Sequence, residues 1–166
     1  MKMELIQPFI NAADAVLSQT LQCPTRIGDV AMDEEAYRRK GMAATVIIHG
    51  DIEGRVIFDI EAPTAAKVAS ALAGSELTES DELVRETVSE LANLVIGNAV
   101  TTLNDQGFRF KIDPPQVHSA EEGYKSTEDL EALVMAFDTT AGCVYMNIAM
   151  RYNRRRRTER ASTAIQ

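Results

Sequence analysis

Four residues in one stretch of the chain, Glu86, Glu90, Asn93 and Gly97, combine chemistry with an unusual choice of helix surface. A carboxylate can pair with a cation. A carboxamide offers both a donor and an acceptor and never ionises, so Asn93 can hold a water in one orientation without taking its proton. No nucleophile accompanies a base: Ser89 has no histidine near it in sequence, and His49 and His118 are the only two histidines. There is no phosphate-binding loop and no dinucleotide fingerprint. The chemistry open to such a set is positioning: a water held in line with a phosphoryl group, with a partner supplying the rest.

The segment carrying these residues reads as a long helix from Asp81 to Asn104, ended by Gly107. At about 100° per residue, with Glu86 at zero, Glu90 falls at about 40°, Asn93 at about −20° and Gly97 at about 20°. Val84, Val88, Leu91, Val95 and Ala99 fall at about 140–220°, so the aliphatic face is opposite and the strip looks outward. Glu86 and Glu90 suit any solvated face. Asn93 and Gly97 do not, since asparagine is a poor helix former and mid-helix glycine costs about 1 kcal/mol against alanine. A glycine there admits a close backbone approach, either from this chain itself or from a partner that binds at Glu86 and Gly97.

The surrounding elements repeat. Glu4–Leu21 reads as a first helix that becomes regular near Pro8. Arg26–Met32 is a strand candidate, and Met42–Asp51 with Arg55–Ile60 form a hairpin around Asp51-Ile52-Glu53-Gly54. A short helix, TAAKVASALAG, follows Pro63, with Gly74 as its C-cap. After the long helix, Phe108–Val117 holds a strand that meets Pro114-Pro115, then come a polar connection over Ser119–Glu128 and a hairpin of Leu130–Asp138 with Cys143–Arg151 across Thr139–Gly142. Each half thus holds a helix, a strand and a hairpin. Asp51–Ile60 aligns with Thr139–Ile148, and Pro8-Phe9-Ile10-Asn11 with Glu90-Leu91-Ala92-Asn93. The order predicts an α+β fold: an antiparallel sheet with long helices on one face, built as a pseudo-twofold helix-plus-hairpin repeat.

Composition narrows the function. With 166 residues, 45% apolar and 25% charged, the chain suits one globular domain with its own core. The longest aliphatic stretch, Leu91–Val100, is too short for a bilayer, and the first residues lack a signal-peptide pattern, so a cytoplasmic protein is expected. Cys23 and Cys143 stand far apart without a metal-binding pattern and read as two free buried thiols, with no metal site. The net charge of −8 conceals a basic tail: RYNRRRRTER (Arg151–Arg160) holds six arginines, leaving 11 basic against 24 acidic residues elsewhere, a body of −13. An acidic body suits a partner that presents lysine or arginine and argues against a nucleic-acid backbone. The domain expected is 1–150, followed by a basic, disordered tail over 151–166 that is attracted to its own acidic body.

Three stretches then carry a resemblance: Gly54-Arg55-Val56-Ile57-Phe58-Asp59, Pro63-Thr64-Ala65-Ala66-Lys67-Val68-Ala69, and Glu90-Leu91-Ala92-Asn93-Leu94-Val95-Ile96-Gly97-Asn98. Together they resemble the CheC/CheX/FliY chemotaxis phosphatases, most closely the CheX branch with its single active motif, over most of 1–150. The resemblance implies a phosphatase that removes the phosphoryl group from the aspartate of a CheY-like response regulator. It assigns water orientation to Asn93 and a salt bridge with a regulator lysine to Glu90. It also implies no cofactor of the chain's own, with Mg²⁺ supplied by the regulator, and a homodimer. Glu86 stands where the family often has aspartate or serine, and either Pro114 or Pro115 lies near the place of the family's proline. The first-half counterpart, Pro8 to Asn11, lacks the glutamate, which implies one active site per chain. Two rival readings remain: a docking module that binds a regulator without hydrolysis, and an adaptor acting through its arginine tail. His118 and Tyr124 read as surface-loop residues, and the methionines as core and hairpin filler.

Overall fold

A computed structural model describes residues 3–33, 40–78, 80–118 and 132–153. The chain runs α1 (Met3–Leu21), β1 (Arg26–Asp33), β2 (Met42–Gly50), β3 (Ile52–Ile60), α2 (Ala62–Ala73), α3 (Asp81–Asp105), β4 (Phe110–Ile112), β5 (Gln116–His118), β6 (Ala132–Thr139) and β7 (Gly142–Tyr152). The seven strands form one sheet in the order β1-β6-β7-β3-β2-β4, with β5 also on β2. Every ladder is antiparallel. The expected α+β architecture is therefore present.

The repeat is present too, and it interlocks. Each long helix is followed by strand material that joins the hairpin of the other half: β1 after α1 pairs with β6, while β4 and β5 after α3 pair with β2. The sheet thus reads alike from either edge, with β3 and β7 at its centre. Alternate strand residues, among them Ala44, Val46, Phe58, Met135, Phe137, Met146 and Ile148, form one core with Leu5, Phe9, Leu17, Val88, Leu91 and Leu103 of the helices. All three helices contribute to that core, so they share one face of the sheet. Of the methionines, Met135, Met146 and Met150 are core, whereas Met3 and Met32 are exposed.

Local chemistry explains the ends of the elements. Ser80 caps α3, its hydroxyl accepting from the Leu83 amide at 3.2 Å. Gly107, at φ 94°, terminates the same helix, as expected. Gly74, at φ 71°, caps α2 in the left-handed conformation, its amide donating to the Ser70 carbonyl. Gly142 (φ 131°) is held by packing as well as by conformation, since a Cβ there would sit 2.3 Å from Thr64 Oγ1.

Several sequence expectations need correction. The first helix is present with the expected end and a start one residue earlier, at Met3, and it is helical from there rather than becoming regular only near Pro8. Proline forfeits only the bond to the Glu4 carbonyl in the exposed first turn, while Leu5 and Ile6 anchor that turn in the core. Ile52 and Glu53 are strand, not turn: β2 and β3 part company at Ile48–Gly54, but Ile52 and Glu53 stay extended by pairing with Tyr152 and Arg151. The strand expected within Phe108–Val117 is β4, and a second one that was not expected, β5, follows once Pro114 and Pro115 have interrupted the ladder on β2. Both cysteines are free but half-buried rather than buried. The sheet continues through Arg151 and Tyr152, beyond residue 150. His118 lies half-buried in β5 rather than in a loop. The polar connection, Tyr124 and the rest of the arginine tail lie outside the described residues.

Candidate functional site

Helix α3 is anchored along one side by Val84, Val88, Leu91, Val95, Ala99 and Leu103, all buried. The opposite side carries Glu86, Glu90, Asn93 and Gly97, all exposed. The expected outward strip is therefore present, and a helix packed along its whole length holds it rigid. Among the described residues, the side chains of Glu86, Glu90 and Asn93 have no hydrogen-bond or ion-pair partner within the chain. Their donors and acceptors all face outward, available to a second molecule.

Gly97 serves no packing among the described residues. A Cβ built on it meets none of their atoms within 4 Å beyond its own turn of helix, so no described element makes the close approach weighed from the sequence. The notch is open, at a helical position where alanine would be the more stable residue.

Beside the strip, Arg85 donates from Nη1 to the Val117 carbonyl at 2.9 Å and ties α3 to β5. A recess of ≈ 540 Å³ lies there, lined by Arg85, Glu86, Ser89, Glu90 and Val117. Sequence reasoning found the two glutamates but not Arg85 or Val117 as neighbours of the site. Val117 reaches it only through the pairing of a three-residue strand, which leaves no helix-periodic signal. On the other flank a groove of ≈ 570 Å³ separates α3 from α1, bordered by Asn98, Thr102 and Gln106 on one side and Gln7, Pro8 and Asn11 on the other.

The first-half counterpart of the strip lies on α1. Asn11 is exposed as Asn93 is, but Gln7 Nε2 donates to its Oδ1 at 2.8 Å. Pro8, aligned with Glu90, is buried. Of the two related helix faces, only α3 displays a carboxylate and a free amide together. The described residues include no group of three histidine, cysteine, aspartate or glutamate side chains arranged to hold a metal ion, and no described helix is long and apolar enough to cross a membrane.

Fold and strip together define a class of protein: an α+β domain that displays two carboxylates, a carboxamide and an open glycine on the exposed face of a long helix. The chain belongs to the CheX family of chemotaxis phosphatases. The family model described as chemotaxis phosphatase CheX matches residues 42–138. The CheY-P phosphatase CheX of Thermotoga maritima is 39% identical over 123 residues, which cover 74% of this chain and 79% of that protein. Among solved structures, the CheX–CheY–BeF₃–Mg²⁺ complex from Borrelia burgdorferi superposes with a TM-score of 0.75 at 32% identity, covering 90% of this chain and 99% of that one. A CheC-like superfamily protein from Shewanella sp. PV-4 has a TM-score of 0.79 at 22% identity, over 91% and 99% of the two chains, a likeness of fold.

Proposed function

We propose that this chain hydrolyses the phospho-aspartate of a CheY-like response regulator, with Asn93 positioning the attacking water and Glu90 pairing with a lysine of the regulator. The observation that carries this reading is the exposure of Asn93 and Glu90 one turn apart on a rigid helix, without partners among the described residues. The Asn93 carboxamide accepts from the water, directs its lone pair at phosphorus and takes no proton. The water's oxygen bonds to phosphorus as the bond to the aspartyl oxygen breaks, and that carboxylate leaves with the electron pair. Mg²⁺, held by the regulator, offsets charge on the phosphoryl oxygens. The contribution of this chain is positioning, and no base is required of it.

Glu86 and Gly97 belong to the docking surface in this reading, the first as a second carboxylate beside the recess and the second as a notch for regulator backbone. The substrate places the reaction in the cytoplasm. The protein works as a homodimer, a reading supported by the apolar side chains Ile27, Val30 and Met32 exposed on the edge strand β1.

The test is decay of a phosphorylated CheY-like regulator with wild type and with Asn93→Ala. Acceleration by wild type, lost in Asn93→Ala while binding persists, supports water positioning. Binding without acceleration by wild type would leave a docking module in place of a phosphatase.

A further inference from the structure

The large apolar side chains left exposed among the described residues are Met3 and Leu72 near helix ends, Ile27, Val30 and Met32 on the edge strand β1, and Leu94. Leu94 alone lies in a helix interior. It is 39% exposed, one turn after Glu90 and three residues before the open notch at Gly97. On the helical wheel it sits at about 80°, on the flank away from Arg85 and Ser89. Long helical side chains lean over the turn that precedes them, and for Leu94 that is the turn of Glu90.

The position matters because of what Glu90 is asked to do. A carboxylate–lysine pair open to water contributes little, since solvent and salt screen it. The same pair becomes strong and directional once apolar groups exclude water around it. One side of Glu90 is walled by the recess of Arg85 and Val117. On the other side, among the described residues, Leu94 is the large exposed apolar side chain of α3.

We propose that Leu94 is a partner-binding residue of this strip: on docking it is buried against an apolar side chain that neighbours the regulator's lysine, and it seals the Glu90 ion pair from water. This rests on the regulator reading above. It assigns Leu94 to affinity and specificity, and leaves water positioning to Asn93. A regulator with a polar side chain beside its lysine is a poorer substrate for that reason.

The experiment measures Kd for a beryllofluoride- and Mg²⁺-loaded CheY-like regulator, together with KM and kcat for its phosphorylated form. Wild type, Leu94→Ala, Leu94→Met and Leu94→Lys are compared at low and high salt. Alanine, methionine and lysine are all good helix formers at an exposed site, so the variants fold, as thermal melts verify. Leu94→Ala is expected to raise Kd and KM about tenfold, with the loss on KM rather than kcat. Leu94→Lys loses more and Leu94→Met largely restores binding. The Kd of Leu94→Ala also rises more steeply with salt than that of wild type, because its ion pair is no longer sealed. Wild-type values of Kd, KM and salt dependence in both Leu94→Ala and Leu94→Lys would overturn the proposal. If wild type binds without hydrolysing, the phosphatase reading falls, and the Kd series still decides the role of Leu94. If wild type does not bind the regulator, both fall.

Discussion

Phe58 and Met146 face each other across the central β3–β7 ladder, and they are also the residues that coincide when Asp51–Ile60 is aligned with Thr139–Ile148. Two equivalent positions become direct cross-strand partners only if a twofold axis passes between them. The internal repeat is therefore a property of the three-dimensional structure, with its axis through the middle of the sheet. Both side chains are buried in the common core beneath the helices.

That position makes Phe58 expensive to truncate. Phe58→Ala leaves a cavity where the two halves meet, and about 3–5 kcal/mol of stability is expected to be lost. Urea unfolding checks this, and a midpoint close to wild type would show that the halves collapse around the gap.

Gly97 separates stability from function. Among the described residues nothing crowds its helical position, so Gly97→Ala is expected to gain up to about 1 kcal/mol and melt higher than wild type. If the notch admits regulator backbone, the same variant binds the regulator more weakly, and Gly97→Leu more weakly still. A stabilised variant with undiminished affinity would remove Gly97 from the docking surface.

The far face of the sheet holds a buried cation. Arg55 donates from Nη1 to Asn147 Oδ1 at 2.6 Å, diagonally across the β3–β7 ladder, while Arg55 Nε and Asn147 Nδ2 are buried without partners among the described residues. Asn147→Ala removes a bond to a charged group and leaves the guanidinium less satisfied, at a cost of about 2–3 kcal/mol. Equilibrium denaturation measures it. The site proposed on α3 lies on the opposite layer, so activity per folded molecule is expected to hold.

Cys143 supplies a pH-dependent probe. Its thiol donates to Asp138 Oδ1 at 3.1 Å, and that bond, burial and the Asp138 charge all raise its pKa. A raised thiol pKa means less thiolate at any pH below it, so alkylation at about pH 8 is expected to be slower than for an unperturbed cysteine. Asp138→Ala removes the first and third causes and speeds the reaction, shifting its pH profile downward. An unchanged profile would rule out Asp138 as the cause. The same sign governs stability. The proton is held more tightly in the folded state, so this contribution is present below the unfolded thiol pKa and fades as pH rises through the folded one.

Features that depend on local periodicity and capping were legible in the order of residues. The outward face of α3, the ends of α2 and α3 at Gly74 and Gly107, and the pairing of strands into hairpins all follow from spacing within a few residues. The repeat was legible because two similar stretches lie in one chain. Features that depend on contacts between distant segments were settled by the fold. It extended Ile52 and Glu53 along Tyr152 and Arg151, since an edge that finds a partner stays strand whatever its turn propensity. It set Val117 beside Glu90, a neighbour chosen by the register of β5 on β2. It left Gly97 and Leu94 uncovered, because whether a surface position is packed depends on the elements laid over it, and none of the described elements is laid over that strip.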